Sequence, residues 1–170
     1  MMYFLDFDRT LFDTERFYNA LERGLIIPDD ALSLDQLSSF LYADTLPFLK
    51  RHQDDTLVLV TRGERLIQET KVLNTLIEDF FDELLYVPEG SKGVAIEAYL
   101  NAHPEQAGVP MFFLDDTIAE LESIRTHFPD TLTVVRMRRL TAKNAGEPAS
   151  HLNEAYTLDE FEEKYVRKSA

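Results

Sequence analysis

Cysteine is absent from the 170 residues, which excludes disulfide frameworks, thiolate nucleophiles and cysteine-ligated zinc or iron–sulfur centres. Any metal must be held by oxygen or by histidine, and His52, His103, His127 and His151 are scattered without a metal-ligand spacing. Positive charge is scarce: 17 Lys and Arg stand against 31 Asp and Glu, for a net charge of −14. So acidic a surface repels phosphate backbones and anionic headgroups, and neither nucleic acid nor a membrane surface is an expected partner. Long apolar runs are also missing. No segment approaches the ~18 residues needed to span a bilayer. Met1-Met2-Tyr3-Phe4-Leu5 meets Asp6 without the basic start or extended apolar stretch of a signal peptide. Internal repeats and low-complexity tracts are absent as well. The expectation is a soluble, cytoplasmic protein of one domain spanning residues 1–170, whose 45% hydrophobic content is ample for one core.

Short apolar runs are present, at Met2–Leu5, Leu57–Val60, Leu84–Val87, Met111–Leu114 and Leu132–Val135. They lack polar alternation, as strands buried on both faces do. Segments with helical spacing lie between them, which predicts a parallel five-stranded α/β sheet covered by helices on both faces, a three-layer sandwich. Residues 14–43 break the rhythm with two helix-like segments, Glu15–Gly24 and Leu34–Tyr42, the second opened by the capping box Ser33-Leu34-Asp35-Gln36. A small helical insertion is the reading, followed by an ordinary helix over Asp44–His52. Thr141–Ser150 reads as loop, and the capping box Thr157-Leu158-Asp159-Glu160 opens a final helix to about Tyr165.

Polar residues capable of chemistry follow four of the five strands, and ligands of open parallel sheets bind at the carboxyl ends of the strands. The first strand is followed by Asp6-Phe7-Asp8-Arg9-Thr10, the second by Thr61-Arg62-Gly63, the third by Ser91-Lys92-Gly93, and the fourth by Asp115-Asp116-Thr117. If the chain stays extended, Asp6 and Asp8 project to one face. Four converging acids repel unless a hard cation joins them, and Mg²⁺ suits an oxygen-only set better than calcium, since no loop of alternating acids is present. A carboxylate can also attack phosphorus once the metal offsets the repulsion between two anions. Asp6 is the candidate nucleophile, and Asp8 the candidate acid and base for the leaving alcohol and the attacking water. Lys92, a cation in the first turn of a helix, opposes the helix dipole and calls for an anion beside it. A phosphoryl group together with Asp6 answers that need. Thr61 offers a hydroxyl to the same group, and Gly63 and Gly93 permit close approach of the backbone.

These residues resemble the four motifs of the haloacid dehalogenase (HAD) superfamily of phosphohydrolases, from Met2 to about Arg136. Asp6-x-Asp8-x-Thr10 follows an apolar strand, Thr61 ends the second, Lys92 opens a helix, and Asp115-Asp116 ends the fourth. The resemblance implies a Rossmann-like core with strand order 5-4-1-2-3. It implies that Asp6 attacks phosphorus, that Asp8 is acid and base, and that Thr61 and Lys92 hold the phosphoryl group. It further implies a Mg²⁺ site formed by Asp6, the main-chain carbonyl of Asp8, and Asp115, tuned by Asp116. Dehalogenating members look different at the position of Asp8. Relatives choose substrates with a cap inserted near the first motif. Residues 14–43 make so small a cap that a protruding phosphoester, or closure by a second subunit in a homo-oligomer, is expected.

The function expected is Mg²⁺-dependent hydrolysis of a phosphorylated small molecule or other phosphomonoester through an aspartyl-phosphate. The alternatives are a catalytically silent phosphate-binding or regulatory protein on the same fold and, behind it, a phosphomutase, which calls for a larger closing cap. Signalling receiver domains place their paired acids first and the accepting Asp later, an order opposed here. Thr10, Arg9, Arg62 and Gly63 are candidate substrate contacts, with surface ion pairing as the competing reading for the two arginines. The cluster Arg136, Arg138, Arg139 and Lys143 reads as a solvated or ion-paired face ahead of an anion-steering one. Phe40, Tyr42, Phe48, Phe80 and Phe81 read as packing.

Overall fold

All four residues of β1 (Met2–Leu5) are buried, because their alternating side chains feed two cores on opposite faces of one sheet. The structure is a computed structural model that describes residues 1–25 and 37–167. Its other strands are β2 (Thr56–Arg62), β3 (Glu83–Val87), β4 (Met111–Asp115), β5 (Leu132–Met137) and β6 (Asn153–Ala155). Among the described residues they form one parallel sheet in the order β3-β2-β1-β4-β5-β6. The first five follow the expected order. The sixth lies between the expected loop Thr141–Ser150 and the expected final helix; it is a three-residue edge strand with polar Asn153 and Glu154 and no apolar run to betray it.

Among the described residues six α-helices complete the layers: α1 (Thr14–Glu22), α2 (Thr45–Arg51), α3 (Arg65–Asn74), α4 (Lys92–Ala102), α5 (Ile118–His127) and α6 (Leu158–Phe161). Tyr3, Leu5, Leu57, Leu59, Phe112 and Leu114 face one core, closed by Phe17 of α1, Phe48 of α2, Val72 of α3 and Phe161 of α6. Met2, Phe4, Val58, Val60 and Phe113 face the other, closed by Ile96 and Tyr99 of α4 and Leu121 and Ile124 of α5. Full burial of each such side chain stabilises the fold by about 1.5–3 kcal/mol. No helix among the described residues is long and apolar enough to cross a membrane.

The insertion differs from its expected form. Asp13 caps α1, accepting from the Arg16 backbone N–H at 3.0 Å. The capping box Ser33–Gln36 lies outside the described residues. Beyond it, Leu37–Phe40 is a single 3₁₀ turn, and Leu41 leaves the helical path to bridge Phe12. Phe12, Phe17 and Phe40 meet with ring centroids 5.5–6.1 Å apart, which anchors both described ends of the insertion to the main core. The final helix also changes character: after Phe161 it continues as a π-helical turn, Glu162–Val166.

That turn is latched to α2. Buried His52 places Nδ1 2.7 Å from Asp55 and Nε2 2.8 Å from Glu162, while Arg51 pairs with Glu162 and with Asp159. Burial pushes both Asp55 and Glu162 upward. The His52 and N-terminal ammonium partners of Asp55, and the Arg51 and His52 partners of Glu162, outweigh burial and hold both carboxyls below their ordinary range. Depressed folded-state values mean that this stabilisation is present above the unfolded carboxylate values of about 4 and is lost as pH falls through the folded ones. In an acid titration followed by circular dichroism, Glu162→Gln is expected to flatten the stability–pH curve below about pH 5. A curve superimposable on the wild type would contradict the latch.

Candidate active site

The sheet register builds the site. Leu5 lies opposite Leu59 on β2 and Leu114 on β4, and the Asp6 N–H donates to the Leu114 carbonyl at 2.9 Å. Asp6 and Asp115 are therefore neighbours at the carboxyl ends of adjacent strands. Carboxylate oxygens of Asp6, Asp115 and Asp116 all lie within 4.8 Å of one another. Lys92, at the start of α4 and capped by Ser91, reaches into the cluster and donates to Asp6 Oδ1 and Asp115 Oδ2, both at 2.6 Å. All four side chains are buried.

One ammonium shared by three buried acids leaves two negative charges in excess if all ionise. Burial is the main cause that pushes Asp6 well above the usual carboxylate range; Lys92 opposes it, and Asp115 and Asp116 reinforce it. Burial and then Asp115 raise Asp116 to about 6. Burial on its own would depress Lys92, but the opposing charges of Asp115 and Asp6 hold it above the ordinary lysine value. Oxygen-only donors with this surplus charge fit a hard divalent cation such as Mg²⁺.

Asp8 does not join the cluster. The extended chain ends at Leu5, and the Phe7 carbonyl then accepts from the backbone N–H groups of Thr10, Leu11 and Phe12, with Arg9 in the left-handed region at φ 61°. This turn replaces the shared face expected of Asp6 and Asp8. Asp8 Oδ1 accepts from Thr14 at 2.7 Å and from Lys71, and Oδ2 accepts from Gln68 Nε2 at 2.9 Å. Burial pushes its carboxyl up, but the charge and hydrogen bond of Lys71, aided by Thr14 and Gln68, hold it below the usual range.

Thr61 and Thr10 have buried hydroxyls with no hydrogen-bond partner among the described residues. A buried unpaired hydroxyl costs about 1–3 kcal/mol, an expense that an incoming phosphoryl oxygen would relieve. Gly63 has φ 140°, and a Cβ there would lie 2.9 Å from Gln68 Nε2. Arg9 pairs with Glu15 at 2.6 Å, and exposed Arg62 pairs with Glu120. The surface ion-pair reading thus describes both arginines in this structure.

The cluster Arg136–Lys143 divides. Lys143 is exposed, but Arg136 and Arg139 are buried clamps, not a solvated face. Arg136 donates to the Asn144 and Glu147 carbonyls and to Glu154, while Arg139 donates to the Thr10 carbonyl and to Asp44. The loop that Arg136 holds delivers Asn144, whose Nδ2 donates to Asp116 Oδ2 at 2.6 Å. Neither Asn144 nor the trio Thr14, Gln68 and Lys71 was singled out in the sequence. The one available signal was the spacing of Gln68 and Lys71, three apart on a helix that also carries Leu66, Ile67 and Leu73.

The parallel sheet and the helices that cover it are similar in fold to solved structures of HAD-superfamily hydrolases. No protein-family model and no curated protein matches the sequence, so the likeness is to solved structures. A haloacid dehalogenase-like hydrolase from Burkholderia xenovorans is 14% identical, with 99% of this chain and 98% of that one covered at a TM-score of 0.72. L-2-haloacid dehalogenase from Xanthobacter autotrophicus, with chloropropionic acid covalently bound, is 13% identical over 100% of both chains at 0.63. A HAD-hydrolase from Bacillus subtilis bound to magnesium is 12% identical over 95% of this chain and 96% of that one at 0.60.

Proposed function

We propose that the protein is a Mg²⁺-dependent phosphomonoester hydrolase that works through an aspartyl-phosphate on Asp6. The observation that carries this reading is the separation of two carboxylates, Asp6 buried and Asp8 half-buried. Asp6 lies in the acid cluster beside Lys92, and Asp8 is held apart from it by donors of its own. A carboxylate oxygen of Asp6 attacks phosphorus, the ester P–O bond breaks, and the departing oxygen takes a proton from Asp8. Water then attacks the phosphorus, giving a proton to Asp8, and the bond to Asp6 breaks with release of inorganic phosphate. Lys92 and the hydroxyls of Thr61 and Thr10 are the donors for the phosphoryl oxygens. Mg²⁺, held by Asp6, Asp115 and Asp116 with the main-chain carbonyl of Asp8, would offset the repulsion between nucleophile and phosphoryl group.

Haloacid chemistry is the competing activity, because the Xanthobacter protein has this fold. Halide departs as an anion and needs no proton, so Asp8 would have no leaving group to protonate in that reaction; expulsion of an alcohol needs one. The Lys71–Asp8 pair favours a second reading, a silent phosphate-binding protein, since a carboxyl kept ionised is a poor acid. The short insertion over residues 14–43 supports protruding phosphoesters as substrates, or closure of the site by a second copy of the chain.

A panel of phosphorylated metabolites, nucleotides and phosphopeptides separates these readings. Turnover of at least one with Mg²⁺, lost with EDTA and restored by fresh Mg²⁺, is the expected result. Turnover indifferent to chelation would remove the metal from the reading. Phosphate binding without turnover would favour the silent protein, and release of halide from a 2-haloacid the dehalogenase.

A further inference from the structure

α3 buries polar side chains beside the core residue Val72 while leaving apolar ones outside. Leu66, Ile67 and Leu73 face solvent, whereas Gln68, Lys71 and Asn74 are buried on its inner face. Burying an ammonium is costly unless it is paired, and apolar residues were at hand in the same helix. The Lys71 ammonium sits 5.3 Å from the ring centres of both Phe7 and Phe12, which stack on each other, and it bonds Asp8 Oδ1. Thr14 of α1 takes the same oxygen, so Oδ1 has two donors and one of them is charged. Among the described residues Oδ2 accepts only from the neutral amide of Gln68, whose place Gly63 keeps clear.

We propose that Lys71 is a positioning residue for Asp8: it anchors Oδ1 and leaves Oδ2 as the oxygen that meets the leaving group and the attacking water. The kinetic consequence rests on the hydrolase reading above; the placement of the carboxylate does not. Among the described residues Lys92 is the other buried lysine, and it serves Asp6 and Asp115. Two lysines thus divide the acids into a metal-and-nucleophile group and a proton-handling one. Without Lys71, the Asp8 carboxylate is free to swing toward that first group.

Kinetics of Lys71→Met, Lys71→Arg, Asp8→Asn and the double variant Lys71→Met/Asp8→Asn test the idea. Lys71→Met is expected to lower kcat by about ten- to a hundredfold with KM changed by less than about threefold, and Lys71→Arg to recover part of the loss. The fall should be larger for an alkyl phosphate than for a nitrophenyl phosphate, whose leaving group needs little protonation. The double variant should be no slower than Asp8→Asn alone. Losses that multiply, that appear only in KM, or that ignore the leaving group would overturn the proposal. A crystal structure of Lys71→Met, or of Lys71→Gln should the first variant not fold, supplies a readout free of activity. A displaced Asp8 carboxylate is expected, and one still seated on Thr14 and Gln68 overturns the placement. Wild-type protein that turns over no phosphoester would remove the hydrolase reading, and the crystal structure would then decide the placement.

Discussion

Asp6→Asn is expected to abolish Mg²⁺-dependent phosphoester hydrolysis, by about four orders of magnitude or more, while leaving the fold intact. The amide oxygen of asparagine can still accept from Lys92, so the hydrogen bond at 2.6 Å has a replacement partner. Removing one of three buried charges that share a single ammonium also removes the burial cost of a carboxylate, the main cause that pushes Asp6 upward in the native protein, and the repulsion from Asp115 and Asp116 that reinforces it. Thermal stability without metal should therefore be equal to or above that of the wild type. Asparagine is a far poorer nucleophile toward phosphorus than a carboxylate, so no covalent phosphoenzyme should form. Steady-state assays with an aryl phosphate, paired with a thermal melt, check both halves. Undiminished turnover would remove Asp6 as nucleophile, and a collapsed melt would show that its charge is needed by the fold.

The second large effect belongs to Lys92→Met. Methionine fills much of the same volume but leaves Asp6, Asp115 and Asp116 buried together without their ammonium. Removing one partner from a buried ion pair costs about 3–5 kcal/mol, because the remaining charges stay uncompensated. Activity should vanish, since the proposed mechanism uses the same ammonium as a donor to the phosphoryl group. Mg²⁺ that binds only the folded state would stabilise it by RT ln(1 + c/Kd) at free concentration c, and in this variant it would also supply the missing positive charge. The rise in Tm on adding Mg²⁺ should accordingly be larger for Lys92→Met than for the wild type. A variant as stable as the parent in EDTA, or one deaf to Mg²⁺, would show that the cluster is neutralised by other means.

The wild-type fold was largely legible along the chain. Runs such as Met2–Leu5 and Met111–Leu114 announced strands buried on both faces, and the order β3-β2-β1-β4-β5 followed the resemblance. Elements that depend on distant partners were not legible. β6 has two polar residues of three and exists because β5 offers it an edge. The helix expected over Leu34–Tyr42 gives way, in its described part, to a 3₁₀ turn, because Leu41 pairs with Phe12. Arg136 and Arg139 look like surface residues by type, but carbonyls at Asn144, Glu147 and Thr10 and the carboxylates of Glu154 and Asp44 pair with them in the interior.

The site divides along the same line. Which acids, which threonine and which lysine stand at strand ends follows from short-range pattern, because an apolar run and the polar residue that ends it are adjacent in the chain. How each acid is neutralised does not follow. Lys92 meets Asp6 across 86 positions, and Lys71 meets Asp8 across 63. Charge compensation in a buried site depends on distance in space, and only the stacking of helices on the sheet converts those separations into contact. Asp6 and Asp8, two residues apart, end on different lysines because the turn after β1 sends their carboxylates to different partners.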